Sequence, residues 1–521
     1  MDLAAGQEKD EGLSVQELML VIDKKSSVIA EQQKRIRILE EYLRLAKQKQ
    51  FGRSSEKHPG QGEFFNEAEL VACAADESEE EIQETADVEE KAPQKKRGRK
   101  GFSEAIPREQ IHIDLSDEDK EGAIDTFYTK VKEELDIEPA KVRILEYMQE
   151  KAVFVEKGER SIKAAQMPKH PIGKTMASIS LLAYIIVSKY MDGLPLHRLE
   201  KILHRYGGNL TRTSMAKWVI SLSTQCQPLI HLLRSHQHSG PLIQADETRI
   251  QVHNEPGRSN TGQKQMWVTL GGPPDKPSVL FEYDPSRGKE VALRLLEGYQ
   301  GYVQADGYAG YDEACKQPGI TQLGCWDHAR RKFVDAQKAQ PKGKQQKVSK
   351  ADVAISKIAK LYAIERKIKD LPNKQKYQLR QELSLPILDD LRKWLDSNKG
   401  KVPKDSLTSK AFTYLDRQWP KLIRYCDDGQ LNISNIRAEN AIRPFVIGRK
   451  AWLFADTPNG AQASSIFYSL IETAKANEIE PYSYLRHIFK ALPYADTVEK
   501  MEALLPWNVK DQVAELKKTK G

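Results

Sequence analysis

Two segments of the chain close on the same tripeptide, Gln244-Ala245-Asp246 and Gln304-Ala305-Asp306, each after apolar residues (Leu242-Ile243 and Tyr302-Val303). If these runs are neighbouring strands, both carboxylates stand in the crevice at the strand ends, where open α/β sheets place ligands. Two carboxylates held together repel, and a hard dication relieves the repulsion. Mg²⁺ takes oxygen ligands and keeps several waters beside one or two carboxylates. Strand alternation puts Gln244, Asp246 and Thr248 on one face and Glu247 on the other, which selects Asp246 over Glu247. Gly307 lets the backbone approach a phosphate closely. A pair of ions about 3.5–4 Å apart clamps the attacking and leaving oxygens of an in-line phosphoryl displacement, and holding both calls for a third carboxylate. Glu439 suits that role, on a helical segment that also carries Asn435, Arg437, Asn440 and Arg443. Arg443 lies four residues on, on the same helical face, and can hold a phosphate near the metal. Arg449 and Lys450, just beyond Gly448, can do likewise. A lone Asp or Glu is more often a surface carboxylate or a helix cap, so the case rests on the common strand-end position.

Short strand-like runs, Leu242 to Val252, Gln265 to Leu270 and Val279 to Tyr283, alternate with turn-forming residues. A helix over Lys289 to Tyr299, a strand over Tyr302 to Ala305, a strand over Ile320 to Cys325 and a helix over His328 to Ala339 follow. That order matches a ribonuclease-H-like sheet. Two helices, Ser434 to Phe445 and Gln462 to Ala476, complete it after a long interruption. Upstream, Leu196 to Tyr206, the turn Gly207-Gly208-Asn209 and Thr213 to Leu222 have the spacing of a helix-turn-helix, although any αα-hairpin looks the same. Near the N-terminus Ile22, Ile29, Ile36 and Leu43 recur every seven residues, with Leu18, Leu39 and Ala46 at the companion positions. This predicts a coiled coil and self-association, with Lys25 and Gln32 interrupting the seam.

The expected organisation is α+β and multidomain. It comprises a coiled coil (1–50), a linker with an acidic run and a basic hook (51–105), a small α+β module (106–170) and a helical DNA-binding region (171–238). The catalytic domain begins at 239–335, is interrupted by a basic helical insertion (336–430), resumes at 431–478 and is followed by a helical tail (479–521). The hook, Lys96-Arg97-Gly98-Arg99-Lys100, is short enough for Arg97 and Arg99 to enter a minor groove.

Composition excludes several classes. The 521 residues are 39% hydrophobic and 30% charged, with no apolar run near the ~18 residues of a membrane span and no signal-peptide pattern at the N-terminus. A soluble cytoplasmic protein without a membrane partner is expected. The five cysteines are scattered, with no Cys-x-x-Cys pair, so neither a disulfide framework nor structural zinc is supported. Cys325-x-x-His328 offers only two ligands; Cys325 is expected to end a buried strand and His328 to begin a helix. Net charge is +7, but residues 336–424 alone hold 22 Lys and Arg against 9 Asp and Glu, a local excess of 13. Segregated basic charge of that size suits a polyanionic partner.

The motifs Asp246-Glu247-Thr248, Asp306-Gly307-Tyr308-Ala309-Gly310-Tyr311, Cys325-Trp326-Asp327-His328-Ala329-Arg330-Arg331-Lys332-Phe333, Glu439-Asn440-Ala441-Ile442-Arg443-Pro444 and Gly448-Arg449-Lys450-Ala451-Trp452-Leu453-Phe454 jointly resemble the insertion sequence 66 family of bacterial transposases. Phe51-Gly52-Arg53-Ser54-Ser55-Glu56-Lys57 is similar to that family's N-terminal signature. The resemblance implies a DDE transposase with Asp246, Asp306 and Glu439 as catalytic, metal-binding triad, using two Mg²⁺ ions or Mn²⁺ in their place. It implies cleavage at the ends of a mobile element, strand transfer of the 3′-OH into target DNA, binding to terminal inverted repeats, small accessory proteins from the same element and a place at the nucleoid. Family members carry a cysteine-paired zinc module where residues 101–170 here have no cysteine, so zinc is not carried over. Two other readings stay open: a non-catalytic DNA-binding descendant, and a ribonuclease-H-like nuclease without strand transfer.

Overall fold

The computed structural model describes residues 15–51, 142–156, 159–173, 175–340 and 348–518. The acidic run, the basic hook with Arg97 and Arg99, and most of the 106–170 module lie outside these residues. Helix α1 (Val15–Phe51) is continuous. Of the module, the structure describes an extended segment and an antiparallel hairpin, β1 (Lys151–Glu156) and β2 (Glu159–Ala164).

Three helices lead to the sheet: α2 (Ile179–Tyr190), α3 (Leu196–Arg205) and α4 (Arg212–His238). The expected turn between α3 and α4 is present, with Gly207 in the left-handed region at φ 82° and Thr211 capping α4 through Ser214 N–H. The expected second helix, however, runs well past Leu222. Its apolar stripe continues through Met215, Val219, Leu222, Cys226, Leu229, Ile230 and Leu233, all buried, so the period of three and four residues never breaks. The back half of α4 is therefore core, packed under the sheet.

The sheet is mixed and five-stranded. Its strands are β3 (Leu242–Gln251), β4 (Gln263–Gly271), β5 (Ser278–Asp284), β6 (Gly301–Gln304) and β7 (Ile320–Leu323), in the order β5-β4-β3-β6-β7. The first three form an antiparallel meander, and β6 and β7 run parallel to β3. Helices α5 (Lys289–Leu295) and α6 (Ala309–Ala314) make the crossovers. Alternation divides the central strands β3 and β4 between two faces. Ile243, Ala245, Val303 and Ala305 pack on Val291, Ala292, Leu295 and Tyr311 from the crossovers, whereas Ile250, Val252, Val268 and Phe281 join the larger core on the opposite face. Two elements end earlier than expected. Helix α5 stops at Leu295, and β7 stops at Leu323 because Gly324 N–H donates to Lys421 O and Trp326 N–H to Ile433 O. Cys325 is thus not the end of a strand but the N-cap of α7 (Trp326–Lys338), with His328 in that helix's first turn.

The interruption is helical, as expected: α8 (Lys350–Ile368), α9 (Asn373–Leu379), α10 (Leu385–Asn398) and α11 (Leu407–Leu422), with a π-turn at Arg380–Ser384. Of these, α8, α10 and α11 share a core with Trp326 and Phe333 of α7. Helix α1 rests on this part of the chain. Tyr42 Oη donates to Asp405 O at 2.9 Å and Arg44 Nε to Ala339 O at 2.8 Å, and Ile38 and Leu45 are buried. Ile22, Ile29, Ile36, Leu39 and Leu43, the heptad positions, all face outward.

Helix α12 (Ile436–Trp452) packs across β3 and β4 and extends beyond Pro444. Arg449 and Lys450 therefore belong to the same helix as Glu439, not to a loop after it. Helices α13 (Pro458–Ala476), α14 (Pro481–Ala491), α15 (Val498–Glu502) and α16 (Pro506–Lys518) close the chain. Ser469 and Thr473 of α13 hydrogen-bond the backbone of Phe281 and Val279, capping the outer edge of β5.

The approach to α12 is tied down by one side chain. Arg380, only 2% exposed, forms a two-bond pair with Glu365 (2.9 and 2.6 Å) and donates to the carbonyls of Tyr425, Asp428 and Leu431. Removing one member of a buried ion pair leaves the other charge unpaired, which costs about 3–5 kcal/mol. Arg380→Met should therefore lower unfolding free energy by about that amount in denaturant titration, with limited proteolysis first cutting between Tyr425 and Asn435.

Candidate active site

Parallel pairing sets the first two carboxylates side by side. Gln244 lies opposite Gln304 in the β3–β6 register, and Asp246 and Asp306 each follow two residues later. Gln244 Nε2 donates to Gln304 Oε1 at 2.7 Å and to Ser434 O at 3.0 Å; Gln304 Nε2 reaches Gly324 O and Asn432 O. The two glutamines thus lace β3 to β6 and both strands to the segment that precedes Glu439. Asp246 Oδ1 accepts the Glu247 N–H at 2.9 Å, and Asp306 Oδ1 the Tyr308 N–H at 2.9 Å.

Glu439, in the first turn of α12, is 3% exposed. Its Oε2 lies 3.5 Å from Arg331 Nη2 and its Oε1 3.5 Å from His328 Nδ1. Burial, with the charges of Asp327 and Asp306, pushes its carboxyl up to about 7 against the opposing pull of Arg331. Asp246 is raised well above the usual carboxylate range, chiefly by burial and then by Glu439, Glu247 and Asp306. His328 goes the other way, down to about 3, from burial and the neighbouring Arg331 and Lys332, so its imidazole is neutral. Buried and without a hydrogen-bond partner among the described residues are Glu439 Oε1, His328 Nδ1, Gln244 Oε1 and both amide atoms of Asn435. Buried polar atoms are normally paired, so a run of such atoms beside a carboxylate cluster suits a site that takes a cation. Hard oxygen donors from Asp246, Asp306 and Glu439 fit Mg²⁺ or Mn²⁺.

Glu247 is on the opposite face, as alternation requires, but it is not idle. It pairs with Arg287 at 2.5 Å and accepts from Tyr311 Oη at 2.9 Å. Arg287 also lies over the Tyr308 ring, 4.3 Å from its centroid, and accepts the Tyr308 hydroxyl on its carbonyl. This arrangement braces the Asp306-Gly307-Tyr308 turn from behind. In front of the turn stands Tyr414 of α11: a Cβ on Gly307 would come within 2.8 Å of its ring. Gly307 thus gives room to the insertion, a different use from the phosphate approach expected of it. His328, Arg331, Asn435 and Tyr414 were all absent from the set expected from sequence. The Cys-x-x-His spacing was a visible signal for the first, and nothing local marked Tyr414.

Of the expected phosphate contacts, Arg443 sits one turn beyond Glu439 and donates to Asn440 Oδ1 at 2.9 Å. Arg449 is turned onto β3, donating to Thr248 Oγ1 at 3.2 Å and to the carbonyl of Arg249. Lys450 is exposed. Trp326 is fully buried with its indole N–H on Leu422 O, and Trp452 packs edge-on against Phe445, so both are packing residues.

Three family models match the chain: Transposase IS66 family over residues 174–463, IS66 C-terminal element over 469–507, and Transposase C of IS166 homeodomain over 38–111. Three proteins of Sinorhizobium fredii are similar over most of their length. Uncharacterized protein y4qI is 32% identical over 73% of this chain and 71% of its own, and uncharacterized protein y4jD is 29% identical over 76% and 78%. Uncharacterized protein y4hP is 27% identical over 73% and 70%.

Burial of these carboxylates, with the repulsion between them, has a thermodynamic signature. Asp246 and Glu439 have folded pKa values above their unfolded ones. Between the ordinary carboxylate range and about 7 the folded state therefore holds more protons, so their contribution to stability falls as pH rises. Metal-free Asp246→Asn should melt higher than the parent at pH 8, by roughly 1 °C for each kcal/mol recovered in a chain of this length. The gap should close toward pH 5, as calorimetry across that range would report.

Proposed function

The chain belongs to the IS66 family of transposases, and on that premise we propose that it is a DDE transposase: it cleaves DNA at the ends of its element and joins the freed 3′-OH to target DNA. The observation that carries this reading is the convergence of Asp246, Asp306 and Glu439 from two adjacent strands and one helix, close enough that Glu439 and Asp306 both raise Asp246. The strand order and the mixed pairing support a ribonuclease-H-like sheet.

In this reading Asp246, Asp306 and Glu439 hold the divalent ions. Those ions, Mg²⁺ or Mn²⁺, would supply Lewis-acid stabilisation of an in-line displacement and a more acidic water. Arg331 orients Glu439 from Oε2, while Arg287, Glu247 and Tyr308 keep the Asp306 turn in place. Arg443, beside the carboxylates, and exposed Lys450 take backbone phosphates; Arg449, engaged with β3, steadies α12 instead. The α3–α4 hairpin and the basic insertion give further DNA contact, although Lys357, Arg380, Arg392, Lys399 and Lys421 already pair with carboxylates. The exposed heptad stripe of α1 suits pairing with a second copy, which would bring two element ends together. Terminal inverted repeats, target DNA and small accessory proteins of the element are the partners of this reading, and the nucleoid its place of action. No helix among the described residues is long and apolar enough to cross a membrane.

A labelled duplex carrying the element end, incubated with the full chain and Mg²⁺, tests the proposal. Parent protein should cut at the end and join the 3′-OH to a second duplex. Asp246→Asn, Asp306→Asn and Glu439→Gln should each lose at least about 10³-fold in cleavage, the scale of several kcal/mol of charge stabilisation, while still retarding the DNA. Cutting without joining would support a nuclease, and binding without cutting a non-catalytic descendant.

A further inference from the structure

Glu439 faces two sets of neighbours, and only one of them is made of oxygen donors. On its other side are Cys325, 1% exposed at the N-cap of α7, and His328 one turn later. One ligand atom from each of Cys325, His328 and Glu439 lies within 4.8 Å of the other two. We propose that these three residues form a second metal site, for a borderline ion of the zinc type, sharing only Glu439 with the oxygen site at Asp246 and Asp306.

The donor set is the reason for that choice of ion. Thiolate and imidazole select zinc-like ions, whereas Mg²⁺ takes oxygen. Zn²⁺ binds sulfur at about 2.3 Å and nitrogen or oxygen at about 2.0–2.2 Å, so adjacent ligands of a tetrahedral ion stand about 3.3–3.8 Å apart. His328 Nδ1 and Glu439 Oε1 are already 3.5 Å apart, and both are buried without a hydrogen-bond partner among the described residues. Burial holds the Cys325 thiol well above its ordinary range, so the sulfur is protonated until an ion arrives, and the backbone amides of Asn435 and His328 face it. Binding breaks the S–H bond and releases that proton to solvent, with no change of oxidation state. Thiolate and carboxylate then balance the dication, neutral His328 adds the third bond, and a fourth position stays open. Sequence spacing shows only two of these ligands, because the third lies 111 residues beyond His328 (439 − 328).

The consequence rests on the transposase reading: an ion held here keeps the Glu439 carboxylate against α7 and withholds it from Asp246 and Asp306. Zinc-type ions would then inhibit Mg²⁺-dependent cleavage.

The test uses full-length protein stripped of metal with a chelator and titrated with Co²⁺, which reports thiolate ligation by a charge-transfer band. A band that saturates at one equivalent is expected, bleached by Zn²⁺ and retained in Asp246→Asn. Cys325→Ser should abolish it, and His328→Gln should weaken Co²⁺ at least about tenfold. Far-ultraviolet circular dichroism checks that each variant is folded; if Cys325→Ser is not, His328→Gln decides alone. No band in the parent, a band unchanged in the folded variants, or loss of the band in Asp246→Asn would overturn the proposal. In the cleavage assay, Zn²⁺ should inhibit the parent and not Cys325→Ser. If no metal supports cleavage, the transposase reading fails while the Co²⁺ titration still decides the site.

Discussion

Burial of Glu439 beside the partly buried Asp246 and Asp306, with the repulsion this adds where β3, β6 and α12 meet, is the constraint that much of the surrounding structure answers. A fold that brings these carboxylates into one low-dielectric corner must supply rigid elements behind each of them. The parallel β3–β6 ladder, laced by Gln244 and Gln304, fixes two. The third arrives from far along the chain and is held by Arg331 on one oxygen, by α12 packed on β3 and β4, and by the Arg380 clamp on the segment that leads into α12. Groups that perturb one another this strongly are characteristic of functional sites.

The insertion is part of the site. Its core is continuous with α7, the helix that presents His328 and Arg331. Its Tyr414 closes over Gly307, and its Lys421 carbonyl ends β7 and so frees Cys325 to cap α7. Part of its positive charge is consumed internally: Arg392 and Lys399 share Asp396 and Asp416, and Lys357 pairs with Asp390. Net charge along a segment therefore overstates the charge that reaches DNA, and the long-range field of the face matters more than the residue count.

The strands were legible because short apolar runs are bounded by turn residues, and the repeated Gln-Ala-Asp marks equivalent positions of the parallel β3–β6 pair, although Asp246 lies mid-strand in β3 and not at its end. Lengths were less so. Helix α4 passes its expected end at Leu222 because its apolar stripe continues to Leu233, and α12 passes Phe445 because Pro444 is tolerated once packing on β3 and β4 holds the helix. What sequence could not show was contact across the insertion. Tyr414 over Gly307, Arg380 on the carbonyls before α12, and Glu439 completing a cluster with Cys325 and His328 all join residues that no local period connects. The heptad stripe of α1 was visible, yet the residues that anchor α1 to the body, Ile38 and Leu45, are a different pair seven apart.

The central claim is that Asp246, Asp306 and Glu439 jointly ligate divalent cations. Anomalous diffraction from crystals of the full chain soaked in Mn²⁺ tests it most directly. The account predicts manganese peaks between the Asp246 and Asp306 carboxylates, with Glu439 contributing an oxygen to one of them. Manganese bound elsewhere, with the three carboxylates unligated at saturating ion, would contradict it.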